Sequence, residues 1–152
     1  MDLRTRINAA LKQAMKERDA ERLATLRLIN AAIKDREIAM RGEEGETGVG
    51  DPEVLDILGR MLKQRQESVR AYEEGGRLDL AESERREIDV IEEFLPRKLS
   101  EAEVDKAITA AISETGASSI RDMGKVMGVL KSRHAGQMDF GEVGPMVKAR
   151  IG

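Results

Sequence analysis

The stretch that decides the fold is residues 120–152, which read IRDMGKVMGVLKSRHAGQMDFGEVGPMVKARIG. Apolar residues recur at helical spacing on both sides of Gly136, so the stretch predicts a helix, a glycine turn and a second helix. Ser119 and Asp122 have the spacing of a capping box, in which two side chains satisfy the first free amides of a helix. The first helix is therefore predicted from about Ile120 to Ala135.

Two glycines inside this predicted helix, Gly124 and Gly128, share one face because they lie four residues apart. Each lowers helix stability by roughly 0.5–1 kcal/mol relative to alanine, which indicates a tertiary reason for their presence. Together with Met127 they form a candidate groove. We favour packing against a neighbouring helix, so that both glycines face a packed neighbour. The alternative is a recognition surface.

Basic side chains crowd the same short helix and support that alternative. Lys125 lies between the two glycines, and further cations stand before and after them. Clustered Lys and Arg side chains are typical of phosphate-binding surfaces. The candidate nucleic-acid-binding residues are Arg121, Lys125, Lys131 and Arg133.

The composition points to a helical protein. Charged residues make up 36% of the 152, aromatic residues 2%, and the net charge of −3 argues against a globally basic nucleic-acid binder. Without cysteine, disulfides and thiolate sites are excluded. No stretch has the length or apolar character of a membrane span or a secretory leader, so we expect a cytoplasmic protein that does not bind membranes.

Four helices are predicted upstream of Pro96, because apolar residues there recur with a period near 3.6. The firmest start is Asp51-Pro52, which predicts an N-cap aspartate followed by proline at the first helical position. Between the second and third helices, Gly42–Gly50 (GEEGETGVG) has no apolar period and predicts a mobile loop. The predicted starts are near Asp2, Asp19, Asp51 and Leu78.

Pro96 marks the predicted domain boundary, since proline cannot donate to the helical ladder. Ser100 and Glu103 form a second capping box, and Asp139 precedes the last helix, although the interior Gly144-Pro145 places the start of that helix in doubt. No segment alternates as a strand does. We predict an all-α protein with a four-helix N-terminal domain, residues 1–96, and a three-helix C-terminal domain, residues 97–152.

No motif carries catalysis, and no cofactor or metal is expected. His134 is the only histidine, and it lies near a predicted helix C-terminus, where a partial positive charge is stabilising. The acids of residues 82–93 are interspersed with arginines, which favours a solvated face over a metal site.

Several segments carry a family resemblance: TLRLINAAIKDREI at 25–38, LKQRQESVRAYEEGGRLDLAESERREI at 62–88, FLPRKLSEAEV, MGKVMGVLK and GQMD. Nearly end to end, the chain resembles the stand-alone YqeY-type proteins of the GatB/YqeY family. That family is similar to the C-terminal tail of the B subunit of tRNA-dependent amidotransferase. Phe94, where the family often has tyrosine, and Gly144-Pro145 depart from its pattern.

The resemblance implies a helical N-terminal part, a three-helix C-terminal part and an association with tRNA. It transfers no catalytic residue, so carbon–nitrogen ligase activity with glutamine as amide donor would be a label by association only. The family's two signatures are filled here by Leu26, Arg27, Lys34 and Glu37, and by Gly124, Lys125, Met127, Gly128, Leu130, Gly136 and Asp139.

Two functions are favoured from the sequence, ahead of an enzyme that acts alone. The first is a non-catalytic tRNA-binding module or accessory in translation, with tRNA or amidotransferase subunits as partners. The second is a protein-interaction module whose Gly124/Gly128 groove receives a partner helix without RNA.

Overall fold

The computed structural model describes residues 2–41 and 49–152. Within them the chain forms seven α-helices and no β-strand, which confirms the predicted all-α class. The predicted loop Gly42–Gly50 lies, apart from its last two residues, outside the described residues. The helices are α1 (Leu3–Glu17), α2 (Ala20–Met40), α3 (Asp51–Glu74), α4 (Leu78–Glu92), α5 (Glu101–Thr115), α6 (Met123–His134) and α7 (Phe140–Ile151), with a 3-10 turn at Ile120–Asp122.

The contacts within the chain divide it into two compact units, Met1–Leu95 and Pro96–Gly152. Helices α1–α4 belong to unit 1 and α5–α7 to unit 2. Each unit has its own hydrophobic cluster. That either unit folds without the other stays a prediction.

Unit 1 is held together by aliphatic side chains that each of its helices contributes. Ile7 of α1, Ile29 of α2, Leu58 of α3 and Ile91 of α4 are all fully buried in one cluster. Burial of such a side chain contributes about 1.5–3 kcal/mol relative to exposure. The helical period read from the sequence therefore predicts the buried faces of these four helices.

Unit 2 is likewise held together by aliphatic side chains, which come from its three helices. Ile108 of α5, Val126 and Leu130 of α6, and Val147 of α7 form the centre of its cluster. Because Val126 and Leu130 lie on one side of α6, that side packs against α5 and α7. The opposite side of α6 faces away from this core.

The predicted caps around unit 2 are partly confirmed. Ser100 Oγ accepts from the Glu103 N–H at 3.2 Å and Glu103 Oε1 accepts from the Ser100 N–H at 3.1 Å, so this capping box is present. At the start of α7, Asp139 Oδ1 accepts from the Gly141 N–H at 2.9 Å. Helix α7 continues through Pro145, so the doubt about its start does not hold.

The capping box predicted at Ser119 is wrong. Ser119 makes no side-chain cap bond, and Asp122 Oδ2 instead accepts from the Ser118 N–H at 3.1 Å. The reason is that Ile120–Asp122 wind as a 3-10 turn, so the α-helix begins only at Met123. A capping box requires an α-helical turn directly after the cap.

The role predicted for Asp51 is also wrong. Gly50 is the N-cap of α3, and Glu53 Oε2 accepts from its N–H at 2.9 Å. Asp51 is the first helical residue, and its Oδ1 accepts from the Leu3 N–H at 3.0 Å. Its carboxylate therefore caps α1, a helix 48 residues away in sequence.

Candidate nucleic-acid interface

The exposed side of α6 and the turn before it form a single narrow surface. At roughly 100° per residue, its six members fall within about a third of the helix circumference, centred on Gly128. All six are exposed. We call this surface the α6 face, and it consists of Arg121, Gly124, Lys125, Gly128, Lys131 and Ser132.

The glycines of the α6 face are open, so the expectation of a packed neighbour is wrong. A methyl group at Gly124 or Gly128 would meet, beyond the helix's own backbone, no atom within 4 Å in the described part of the chain. The physical reason is that α6 packs through Val126 and Leu130, which point to the opposite side. Helical period shows which residues share a face, but it does not show whether a neighbour covers that face.

Met127, predicted as part of the groove, does not belong to the α6 face. Its side chain is partly buried and packs against the cluster of unit 2. It lies about 100° from Gly128 around the helix, which turns it toward the flank. The α6 face itself thus consists of glycines, cations and one serine.

Three of the four predicted cations lie on the α6 face. Lys125 Nζ is 4.0 Å from Asp122 Oδ1, and the lysine side chain is 72% exposed, so this contact is weak. Neither Arg121 nor Lys131 forms an ion pair with any other described residue. The three cations are therefore available to an anionic partner.

Arg133, the fourth predicted cation, is engaged within the chain. Its two terminal guanidinium nitrogens donate to the two carboxylate oxygens of Glu114, on α5. The paired arginine lowers the pKa of the Glu114 carboxyl, and the carboxylate raises the pKa of the Arg133 guanidinium. Both groups are charged near neutral pH and hold one another.

A shallow depression of ≈ 540 Å³ adjoins the α6 face on the side of Lys125. It is open to solvent and lies between α6 and the last residue of α5. Ser132 is missing from the sequence prediction, although its spacing of four from Gly128 signals the same face. The residues that line the depression are Thr115, Lys125, Gly128, Val129, Ser132 and Arg133.

His134 is the last residue of α6, so it lies at a helix C-terminus as the sequence predicts. Its Nδ1 lies 3.3 Å from Gln137 Oε1, and the Gln137 Nε2 donates to the Arg97 carbonyl at 3.1 Å. The Leu99 N–H also donates to the Gln137 carbonyl at 2.9 Å. These contacts tie the first residues of unit 2 to the turn after α6.

The acids of residues 82–93 lie among ion pairs. Arg85 contacts both Glu73 and Glu82, and Arg65 Nε lies 3.5 Å from Glu87 Oε2. Within the described ranges, no three His, Asp or Glu side chains are grouped as metal ligands. Nor is any helix there both long and apolar enough to cross a membrane.

Comparison with known proteins gives relatives in yeasts. The chain is 30% identical over 106 residues to "Altered inheritance of mitochondria protein 41, mitochondrial" of Lachancea thermotolerans, which covers 68% of this chain and 54% of that protein. For the proteins of the same name in Saccharomyces cerevisiae (strain YJM789) and Clavispora lusitaniae, the identities are 27% over 95 residues and 32% over 110. Those alignments cover 62% and 71% of this chain and 49% and 61% of the relatives.

The chain thus spans about half the length of the curated relatives it matches. Their names place those proteins in mitochondria, while a cytoplasmic location for this chain stays a prediction. The sequence model of the family described as "Yqey-like protein" matches residues 4–151, which confirms the resemblance drawn from the sequence segments. With nearly its whole length matched, the chain belongs to the YqeY-like protein family.

Proposed function

We propose that the chain is a non-catalytic RNA-binding module that holds the sugar-phosphate backbone of tRNA on the α6 face. The observation that carries this proposal is the alternation of exposed cations and bare glycines on one side of α6. Arg121, Lys125 and Lys131 supply positive charge, and the glycines leave the helix backbone uncovered. A polyanionic strand can approach such a surface closely.

The spacing of the cations suits a strand that crosses the helix. Lys125 and Lys131 lie on either side of Gly128, about 60° away in each direction around the helix. Along the axis they are separated by roughly 9 Å, at 1.5 Å per residue. Their ammonium groups reach phosphates on both sides of a backbone segment seated over Gly128.

The choice of tRNA as the RNA rests on family membership and on the resemblance to the amidotransferase tail. In this proposal the chain binds tRNA as an accessory to tRNA-dependent amidation, and amidotransferase subunits are candidate partners. Carbon–nitrogen ligase activity is not assigned to any residue here.

The alternative, a partner helix in the Gly124/Gly128 groove, has less support from the same surface. A helix that docks in a groove buries apolar anchors at its centre. The α6 face offers no large apolar side chain, because Met127 packs inward and Val129 lies on the flank. The surface is better matched to phosphate than to an apolar stripe.

Fluorescence anisotropy with a labelled tRNA transcript, titrated at several salt concentrations, tests the proposal. Three phosphate contacts predict a slope of log affinity against log salt of about −2 to −3. Lys125→Glu should weaken binding at 0.1 M salt by at least about 5-fold, the value of one lost contact, and leave the melting temperature near that of the parent.

Lys106→Glu is the matched control. Lys106 is an exposed lysine of α5 in the same unit, without an ion pair to another described residue, so its replacement changes net charge equally. Its effect should be clearly smaller. No measurable tRNA affinity in the parent at low salt, or equal losses in the two variants, would reject the RNA role and favour the protein-interaction alternative.

A further inference from the structure

The pairing of Arg133 with Glu114 bears on how tightly the α6 face can hold a polyanion. Arg133 lines the depression beside Lys125, Gly128 and Ser132, so its guanidinium adjoins the proposed phosphate track. Its position in the sequence alone suggests a fourth phosphate contact. The structure instead gives its two terminal N–H groups to a carboxylate of the same chain.

Glu114 stands in a place that its own helix does not favour. It belongs to the last turn of α5, which has no basic residue. The carbonyl end of a helix carries partial negative charge, so an acid there is unfavourable unless a cation neutralises it. Arg133 lies in the last turn of α6, where a cation is favourable, and supplies that neutralisation.

The pair is exposed enough to open. The Arg133 and Glu114 side chains keep 50% and 49% of their surface accessible. Exposed ion pairs contribute little net stability and weaken further as salt rises. A phosphate group also accepts two N–H groups from one guanidinium, so it can replace the carboxylate without a change in geometry at the arginine.

We infer that Glu114 is an internal competitor of the RNA phosphate for Arg133, and that it limits the affinity of the α6 face. The inference rests on the proposed function, since it concerns the regulation of the same site. Before RNA binds, three cations are available to phosphate and Arg133 is paired with Glu114. When a phosphate displaces the carboxylate, the gain from the new contact is offset by the broken ion pair.

Glu114→Gln in the full chain tests the inference, because the amide has nearly the shape of the carboxylate but no charge. One added phosphate contact makes the slope of log affinity against log salt steeper by 0.7 to 0.9. If parent and variant bind equally at 1 M salt, the variant should therefore bind tRNA roughly 5- to 8-fold more tightly at 0.1 M salt. Arg133→Gln alone should lower tRNA affinity, because it leaves the Glu114 carboxylate unpaired beside the proposed phosphate track. In the Glu114→Gln background, the same change should remove the gain.

Asp105→Asn is the matched control. It changes net charge by the same amount and removes the ion pair of Arg150, which joins α7 to Asp105 of α5 and does not line the depression. Equal gains from Glu114→Gln and Asp105→Asn, or no gain from Glu114→Gln, would overturn the inference while leaving the RNA proposal intact if Lys125→Glu still weakens binding. If no variant or parent binds tRNA, both proposals fall. Thermal melting of each variant identifies any loss of fold.

Discussion

Replacement of the open glycines of α6 should raise the stability of the protein and lower its affinity for tRNA. Gly124 and Gly128 belong to α6, and, apart from their sequence neighbours and the helix's own backbone, a methyl group at either position would meet no atom of residues 2–41 and 49–152 within 4 Å. Neither glycine is among the positive-φ residues, so alanine fits both backbone conformations. The double change Gly124→Ala/Gly128→Ala should therefore stabilise the protein.

The magnitude follows from helix propensity. Replacement of an interior helical glycine such as Gly128 by alanine is worth about 0.5–1 kcal/mol, and Gly124, the second residue of α6, gives less, so the double change adds about 0.5–2 kcal/mol to the free energy of unfolding. If the chain of 152 residues unfolds as one, 1 kcal/mol raises the melting temperature by roughly 2–4 °C. The same two methyl groups cover the backbone on the proposed phosphate track, so tRNA affinity should fall.

Circular dichroism melts and urea titrations measure the stability change, and anisotropy measures binding. Gly59→Ala in α3 is the control, since Gly59 is helical and equally free of neighbours but lies in the other unit. It should stabilise without a change in tRNA affinity. Gly116→Ala should destabilise, because Gly116 has φ of 66° at the end of α5.

Two results would refute this reasoning in different ways. A double variant that melts below the parent would mean that a part of the molecule packs over the glycines, contrary to the open face. A stabilised variant with unchanged tRNA affinity would mean that the glycines do not admit the phosphate backbone.

Two further predictions concern caps. The pKa of Glu103 is lowered to about 2, first by the Arg97 guanidinium and then by the Ser100 N–H and hydroxyl. Because the folded value lies below the ordinary 4.5, its contribution to stability is present above about pH 4.5 and is lost as pH falls toward 2. The melting temperatures of the parent and Glu103→Gln should thus differ at pH 7 and converge near pH 2, and a constant difference would contradict the assignment. Asp51→Ala should lower the free energy of unfolding by about 0.5–2 kcal/mol, since it removes the acceptor for the Leu3 N–H. Asp35→Ala, at an exposed position of α2, should change it little in the same urea titration, and equal losses in both variants would contradict the capping role.

The sequence predicts best those features of the fold whose partners are local, although the local pattern at Ser119 and Asp122 fails where the chain winds as a 3-10 turn. The Ser100–Glu103 capping box is confirmed because both side chains act within one helical turn. The buried face of each helix follows from spacing alone, as Ile7 and Ile29 illustrate. Where the partner is distant, the prediction fails: the carboxylate of Asp51 caps the helix at Leu3, which no local rule indicates.

The same limit explains the differences in the candidate site. A 3.6-residue period places Gly124 and Gly128 together, but whether a helix covers them depends on how α5 and α7 pack on α6. That packing is directed by Val126 and Leu130, so the glycine side is left open. Sequence spacing therefore predicts the members of the face better than it predicts their surroundings.

The sequence and the structure differ in the number of cations that they leave for phosphate, and the difference can be measured. The sequence gives four cations for the candidate interface, which would predict a salt slope of about −2.8 to −3.6 at 0.7 to 0.9 per contact. The structure engages Arg133 with Glu114 across two helices and leaves three cations, which predicts about −2.1 to −2.7. We expect a salt slope of about −2.1 to −2.7 for the parent and of about −2.8 to −3.6 for Glu114→Gln. That result would show that tertiary pairing, rather than composition, sets how many phosphates this surface can hold.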